Sequence, residues 1–379
     1  MRKHQFLTMT LLFSGSPSFS STRASAAEAP SCVSEASCDG TSLCASPEDT
    51  SAQGVFSVGA KTVQLQGLKV ELWYPAAAPA AGTAAKKYDV RSALPLPLQF
   101  LIPAKQAPIQ SCDCYEGLAL DREHGPYPLI IFAHGSASFR TQSLSLMTHL
   151  ASRGFVVMAA DHPGLWLADF LQGKREGDVV GDLRNLIAGL SSTGSEASEL
   201  DFLKGFVQLD RIGLVGHSAG GGAITALGGT PGVRMLVPMA AGGVGADFTG
   251  SSLILGGLDD KVVPFSRQEE GFAKSGGTSR LIGVGNAGHL AFADLCEVRN
   301  AQGQNLVELG KAFGLPGESM AGKLWDGCGP GQLSATRSME IVRFAVTAEA
   351  EEQLLCKDRS AAWEQLSARY PEVLRFQSK

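Results

Sequence analysis

Apolar and polar residues follow two different patterns along the chain. In residues 68–74, apolar Leu68, Val70 and Leu72 alternate with charged side chains, which is typical of a strand with one buried face. From Pro128 onward the apolar runs are short and unbroken, and stretches with helical spacing separate them. Unbroken apolar strands of this kind are buried on both faces. The pattern therefore predicts an α/β fold, with a mostly parallel central sheet and helices on both faces.

The predicted elements also indicate where function should lie. The carboxyl ends of parallel strands meet at one edge of a sheet, and ligands of open α/β sheets bind there. Functional residues are therefore expected directly after strands. The predicted strands are residues 68–74, 129–133, 155–160, 212–215, 235–239, 253–255 and 280–284, and the predicted helices are residues 142–152, 178–190 and 219–227.

The amino-terminal residues have the features of an export signal. Residues 1–26 begin with basic Arg2 and Lys3, continue with an apolar stretch, and end with Ala24-Ser25-Ala26 as an A-x-A cleavage site. Residues 27–53 lack sustained periodicity and are expected to form an exposed, cysteine-containing leader. Residues 54–379 are expected to form the catalytic domain. Beyond the signal, no apolar run approaches the roughly 18 residues that a transmembrane helix needs, so a secreted or periplasmic protein is predicted.

Composition narrows the possible partners. The chain has 379 residues, of which 44% are hydrophobic, so it can bury a substantial core. Its formal charge is −5, and loss of Arg2, Lys3 and Arg23 with the signal would make it −8. An acidic chain without basic clusters is a poor binder of nucleic acid.

Cysteine usage agrees with export. All eight cysteines follow the proposed cleavage site, and an even number in an exported chain favours disulfides. Cys112 and Cys114 are close enough in sequence to suggest a metal site, but no second Cys/His pair completes four ligands, so no metal is predicted. The cysteines are Cys32, Cys38, Cys44, Cys112, Cys114, Cys296, Cys328 and Cys356.

The candidate nucleophile is Ser218. It lies in Gly216-His217-Ser218-Ala219-Gly220, between the strand at 212–215 and the helix at 219–227. A G-x-S-x-G sequence in that setting is typical of a nucleophile elbow, where a sharp turn exposes the serine oxygen. The glycines are needed because a Cβ there would clash with the neighbouring strand and helix. His217 is expected to point away from the serine.

A serine hydroxyl needs a general base to become a nucleophile. His289 is the preferred base because it follows the strand at 280–284 and comes after both the serine and the candidate acids, which is the chain order of this kind of site. His162 is the main alternative, since it also follows a strand. It precedes the serine, however, and it is interpreted as stabilising a turn or lining the pocket, with Asp161 bonding the same loop.

The base needs a carboxylate that fixes its tautomer. Asp259 and Asp260 both follow the strand at 253–255. Asp260 is preferred for its spacing to Pro264, Asp259 competes with it, and Asp247 is a more distant third candidate.

Acyl transfer also needs donors for the oxygen that becomes negative. The N–H of Ala219 is one candidate. The second is expected in the loop after the strand at 129–133, where Gly135 allows close approach of the backbone to a substrate. The N–H of Ser136 is preferred there, with Ala137 as the alternative.

Taken together, these motifs resemble the α/β-hydrolase superfamily over roughly residues 55–375. Within it the chain is similar to secreted bacterial esterases of the platelet-activating-factor acetylhydrolase and predicted dienelactone hydrolase type. The resemblance implies Ser218 as nucleophile, Asp260 as acid, His289 as base, and the Ser136 and Ala219 N–H groups as the oxyanion hole. It rests on Leu72-Trp-Tyr-Pro75, Phe132-Ala-His-Gly135, Phe139-Arg-Thr141, Leu150-Ala-Ser-Arg-Gly154, Asp161-His-Pro-Gly164, Gly216-His-Ser-Ala-Gly220, Ala287-Gly-His289 and Phe292-Ala-Asp294.

Two departures limit what the resemblance implies. Dienelactone hydrolases proper use a cysteine nucleophile, whereas position 218 is serine, so lactone chemistry is not implied. Glycine-rich residues 300–331 are a candidate partial lid, and Cys296 is expected to pair with Cys328 or Cys356.

The sequence therefore predicts a serine carboxylic-ester hydrolase that works through an acyl-enzyme, without metal or organic cofactor. Its substrate would be a small-molecule, lipid or polymer ester. Two alternatives remain: a peptidase or amidase with the same residues, since specificity lies in pocket shape, and a noncatalytic binding protein on the same scaffold.

Overall fold

The computed structural model describes residues 34–36, 42–44, 46–191, 199–315 and 325–379. The predicted signal peptide, residues 1–26, lies outside the described residues, as do residues 27–33, 37–41 and 45 of the predicted leader.

A ten-stranded sheet forms the centre of the described structure, in the order β14-β13-β12-β11-β10-β8-β9-β4-β3-β7. Two further pairs, β1 with β2 and β5 with β6, are antiparallel and separate from it. In chain order the strands are β1 (Ser34–Ala36), β2 (Ser42–Cys44), β3 (Ser57–Leu65), β4 (Leu68–Ala76), β5 (Lys87–Asp89), β6 (Ile109–Ser111), β7 (Tyr115–Glu116), β8 (Tyr127–Ala133), β9 (Val156–Ala160), β10 (Val207–His217), β11 (Val233–Met239), β12 (Ser251–Gly257), β13 (Thr278–Val284) and β14 (Val373–Ser378).

Helices cover both faces of this sheet. On β8, Ile130 and Phe132 belong to the apolar cluster that includes α2 and α8, whereas Leu129 and Ile131 belong to the cluster that includes α4 and α5. The described helices are α1 (Leu96–Gln99), α2 (Leu144–Ser152), α3 (Leu167–Leu171), α4 (Val179–Ser191), α5 (Ala219–Thr225), α6 (Ser266–Lys274), α7 (Leu306–Ala312), α8 (Ala335–Leu355) and α9 (Ser360–Arg369).

Strands β8 to β13 form the parallel part of the sheet, and antiparallel strands flank it. This confirms the predicted α/β fold and mostly parallel sheet. Residues of β8, β9 and β12 are buried throughout, which explains their unbroken apolar sequences.

The sequence patterns missed outer strands on both sides of the sheet. Strand β3 pairs with β4 through a hairpin turn at Gln66 and Gly67, which both have positive φ as a type I′ turn requires. The strand at 280–284 was expected to be the last, but β14 pairs with it on the outside. The side chains of β14 are mostly exposed, so no apolar pattern identifies it.

Two disulfides lie between cysteines that the structure describes. Cys296 bonds Cys328, one of its two expected partners, and Cys112 bonds Cys114 within the irregular excursion before β8. Cys356 is disulfide-bonded as well.

Residues 46–53, the longest described stretch of the predicted leader, are not fully exposed. Thr50 is completely buried, and its hydroxyl donates to the Phe344 carbonyl of α8. The Arg153 guanidinium donates to the carbonyls of Pro47 and Asp49. This segment therefore packs as part of the domain.

Candidate active site

Ser218 lies at a sharp turn between β10 and α5. Its φ is 53° and its ψ is −119°, a conformation that a non-glycine residue rarely adopts. A Cβ on Gly216 would lie 2.6 Å from the Gly220 carbonyl oxygen, and one on Gly220 would lie 2.3 Å from the Ala133 carbonyl oxygen. Both glycines are thus required by close backbone contacts, as the elbow motif predicts.

The structure brings Ser218, His289 and Asp260 together. His289 Nδ1 lies 2.9 Å from Asp260 Oδ2, and His289 Nε2 lies 2.9 Å from Ser218 Oγ. Since a carboxylate can only accept, Nδ1 carries the proton and Nε2 is left to accept from the serine hydroxyl. Both His289 and Asp260 are buried, whereas Ser218 is partly exposed. This arrangement can activate a serine oxygen.

Among the candidate acids, Asp260 is the one that contacts His289. Its second oxygen, Oδ1, accepts the N–H groups of Val262 and Val263 at 2.8 Å each, so the carboxylate is held on both sides. The side chains of Asp259 and Asp247 are exposed.

The loop after β8 lies directly against the serine. A Cβ on Gly135 would lie 2.8 Å from His217 Nδ1 and 3.2 Å from Ser218 Cβ, so any side chain there would displace one of these neighbours. Ser136 and Ala137 continue the loop and line the same pocket as Ser218. Ala219 is the first residue of α5, where backbone N–H groups have no helical acceptor. The predicted donors therefore lie on the two segments that meet at the serine.

Comparison with known proteins adds to this geometry. The family model of platelet-activating factor acetylhydrolase, isoform II, matches residues 50–164, and that of chlorophyllase matches residues 118–235. Both models describe carboxylic-ester hydrolases of the serine type. A solved structure, the ferulic acid esterase from Streptomyces cinnamoneus, is similar in fold with a TM-score of 0.55 at 22% identity, covering 81% of this chain and 95% of that one. No curated protein matches the chain.

The chain is an α/β-hydrolase of the esterase type. The family matches confirm the predicted enzyme class, and the solved structure agrees in fold.

The pocket of this hydrolase opens beside Ser218 and has a volume of about 300 Å³. Its walls are mainly aliphatic and aromatic. Two basic side chains, Arg91 and Lys311, also lie in the wall. The Arg91 guanidinium is already paired, since it donates to the Asp89 carboxylate and to the Ile102 carbonyl, and Lys311 is not without a partner either. The apolar lining residues include Val90, Leu94, Ile102, Pro108, Phe139, Leu167, Phe170, Leu171, Val262, Leu290, Leu295, Leu306, Val307, Leu309, Leu315 and Trp325.

Part of the candidate lid borders this pocket. Residues 306–315, which include α7, contribute several side chains to its wall. An Asn305 capping box with Glu308 fixes the start of α7. Residues 306–315 and Trp325 of the candidate lid therefore form part of the pocket wall.

His162 does not contact Ser218. Its Nδ1–H donates to Asp182 at 3.1 Å, and its backbone N–H donates to His134 Nε2. Asp161 accepts from the backbone and guanidinium of Arg140. Both residues thus stabilise loops near the site, in agreement with one interpretation of the sequence.

The His217 side chain is directed at the base loop, which the sequence did not indicate. Its Nε2–H donates to the His289 carbonyl at 2.9 Å, and the two rings lie 4.9 Å apart. Burial, together with the neighbouring His289, lowers the pKa of His217 to about 3. A neutral His217 therefore holds the backbone of the candidate base.

Gln142 is a second residue that sequence reasoning missed. Its side-chain oxygen accepts the Gly135 N–H at 2.8 Å, which fixes the loop that faces Ser218. Gln142 is fully buried just ahead of α2, and its role depends on how that helix packs against the loop, which its own sequence neighbours do not indicate.

The described residues contain no group of His, Cys, Asp and Glu side chains that could hold a metal ion. Among these same residues, no helix is long and apolar enough to cross a membrane.

Proposed function

We propose that this α/β-hydrolase cleaves carboxylic esters with Ser218 as nucleophile, His289 as general base and Asp260 as the acid that orients the base. The observation that supports this most is the continuous hydrogen-bond chain from Ser218 Oγ through His289 to Asp260, with 2.9 Å at each link, at a pocket wall.

In the first half of the reaction Ser218 Oγ attacks the ester carbonyl carbon while His289 Nε2 takes the hydroxyl proton. The imidazolium that forms is stabilised by Asp260 through Nδ1–H. His289 then gives its proton to the leaving alcohol oxygen as the ester bond breaks. The acyl group is left on Ser218, and the alcohol departs.

The negative charge on the carbonyl oxygen is stabilised by backbone donors. The Ala219 N–H supplies one, and the loop of Ser136 and Ala137 supplies the other, with the Ser136 N–H preferred. Such a donor is worth roughly 3 to 4 kcal/mol of barrier. Gln142 supports the second donor by holding Gly135.

In the second half a water molecule replaces the alcohol. His289 takes a proton from this water, which attacks the acyl carbon, and then returns the proton to Ser218 Oγ as the acid leaves. No cofactor is needed for either half.

The pocket favours an apolar substrate. Its lining is mainly aliphatic and aromatic, and the basic side chains in its wall, Arg91 and Lys311, both have partners, so an uncharged hydrocarbon group loses little by entering it. We infer a small-molecule or lipid ester whose apolar part occupies this pocket.

Export is part of the same proposal. The chain carries a predicted signal at residues 1–26, ahead of a predicted leader at 27–53 and a catalytic domain at 54–379. The Cys112–Cys114 and Cys296–Cys328 disulfides fit an oxidising compartment. We therefore place the mature protein outside the cytoplasm.

The test is hydrolysis of p-nitrophenyl esters and matched p-nitroanilides by residues 27–379 produced under oxidising conditions. Ser218→Ala should abolish ester turnover, whereas Ser367→Ala, on the exposed surface of α9, should leave it unchanged. Preference for the anilides would favour a peptidase or amidase. A folded protein that hydrolyses neither substrate would favour the alternative interpretation, a noncatalytic binding protein on the same scaffold.

A further inference from the structure

We propose that Asp326 is a positioning residue that ties the loop carrying the base to the loop carrying the acid. The inference rests on the proposed roles of His289 and Asp260. Asp326 lies 37 residues after His289, in a segment that the sequence indicated only as a candidate partial lid.

One carboxylate oxygen of Asp326 joins the two loops. Asp326 Oδ2 accepts the His289 N–H at 3.0 Å and the Lys261 N–H at 2.9 Å. Lys261 directly follows Asp260, so the same oxygen holds the backbone of the base and the residue next to the acid. The Asp326 carbonyl also accepts the Leu290 N–H at 2.7 Å. Asp326 is buried, which makes these bonds costly to lose.

The segment that carries Asp326, residues 325–333, is itself fixed; we call it the strap. Gln332 Oε1 accepts the N–H groups of Gly327 and Gly329, so its Nε2 faces Asp326 Oδ1 at 3.4 Å. A Cβ on Gly288 would lie 2.6 Å from the Gly327 nitrogen, so the strap and the base loop are in direct backbone contact.

Two covalent or backbone links keep the strap in place. The Cys296–Cys328 disulfide joins it to the chain shortly after the base. The Leu333 N–H donates to the Asn286 carbonyl at 2.6 Å, at the start of the base loop. Asp326 is therefore presented by a segment that cannot easily move away from the site.

This arrangement matters because His289 and Asp260 come from loops after different strands, β13 and β12. The imidazole must hold 2.9 Å contacts on both nitrogens at once. With Asp326 on its N–H and His217 on its carbonyl, the backbone of His289 is held on both sides by side chains. The Asp259 N–H also joins the two loops, since it donates to the Ala287 carbonyl at 3.1 Å, but this bond does not hold His289 itself. Without the shared acceptor, the backbone of His289 can shift relative to Asp260. A misplacement of about 1 Å can cost about 10²-fold in rate.

The test compares two substitutions at one position with p-nitrophenyl butyrate as substrate. Asp326→Ala removes the shared acceptor and should lower kcat about 10²-fold with KM nearly unchanged. Asp326→Asn keeps an oxygen that can accept both N–H groups. Its kcat should therefore be at least tenfold higher than that of Asp326→Ala. If Asp326→Ala does not fold, Asp326→Ser replaces it, because a hydroxyl is too short to reach both donors.

A double substitution separates positioning from a general structural role. If Asp326 acts through the alignment of His289 and Asp260, Asp326→Ala should cost little further in an Asp260→Asn background. Multiplicative losses, a rise in KM alone, or a folded Asp326→Ala variant with wild-type kcat would each overturn the inference. Failure of the proposed function would instead appear as activity retained in Ser218→Ala.

Discussion

Substitution of Asp260 by Asn should cost about 10⁴-fold in kcat without disturbing the fold. The Asp260 Oδ1 position accepts two N–H groups, from Val262 and Val263, at 2.8 Å each. In Asp260→Asn the amide oxygen must keep that position, because the amide nitrogen has no lone pair to offer these donors. The NH₂ group is thereby forced toward His289 Nδ1.

That orientation selects the wrong tautomer of the base. Facing a donor, Nδ1 must accept, so the proton moves to Nε2, which can then no longer take the Ser218 proton. The wrong tautomer costs about 10⁴-fold in kcat, or about 5 kcal/mol of barrier. Since both backbone bonds survive, the melting temperature should change little.

The assay is steady-state hydrolysis of p-nitrophenyl butyrate, with thermal unfolding followed by circular dichroism. Asp259→Asn is the matched control, because Asp259 is the neighbouring carboxylate and is exposed. It should retain wild-type kcat. A loss below tenfold in Asp260→Asn, or an equal loss in Asp259→Asn, would refute the assignment of the acid.

Three other predictions concern the pocket, the strap and acid stability. Across p-nitrophenyl esters of increasing acyl length, kcat/KM should rise about fourfold per methylene until the pocket is full, because each buried methylene contributes about 0.8 kcal/mol; a flat series would argue against an apolar pocket. The Cys296–Cys328 disulfide closes a covalent loop across a sequence separation of 32 residues. Replacing both cysteines by Ser should lower the free energy of unfolding, measured by urea titration, by about 3 to 4 kcal/mol, because the unfolded chain is no longer constrained. An unchanged urea midpoint would contradict this. Burial lowers the pKa values of His134 and His149 to about 4 and of His217 to about 3, so between these values and about 6.5 the unfolded state binds more protons than the folded state. The free energy of unfolding should therefore be smaller at pH 5 than at pH 7, and a larger value at pH 5 would show that these histidines are not buried in the neutral form.

The part of the fold predicted from sequence is the part with strong local patterns. Strands such as β8 and β9 are buried on both faces, so their sequences are unbroken apolar runs. Strand β3 mixes buried and exposed positions without regular alternation, and β14 is largely exposed at the sheet edge. Both β3 and β14 are strands because they pair with a neighbouring strand, and this pairing produces no apolar pattern in their own sequences.

The same distinction holds for the candidate site. Ser218, Asp260 and His289 each lie in the turn or loop that follows a parallel strand. The carboxyl ends of parallel strands share one edge of the sheet, so these positions predict that the three residues lie near one another. Asp326 has no such marker, because its contacts with His289 and Lys261 arise from the path of a glycine-rich segment. The orientation of His217 also depends on where the base loop passes, which its own neighbours in sequence do not show.

Labelling with a fluorophosphonate probe tests the central claim most directly, because the probe reacts with an activated serine. Peptide mapping of the labelled protein should find one adduct, on Ser218, and Ser218→Ala should take up no label. His289→Ala should label far more slowly, since the serine loses its base. An adduct on a different serine, or equal labelling of Ser218→Ala, would contradict the account.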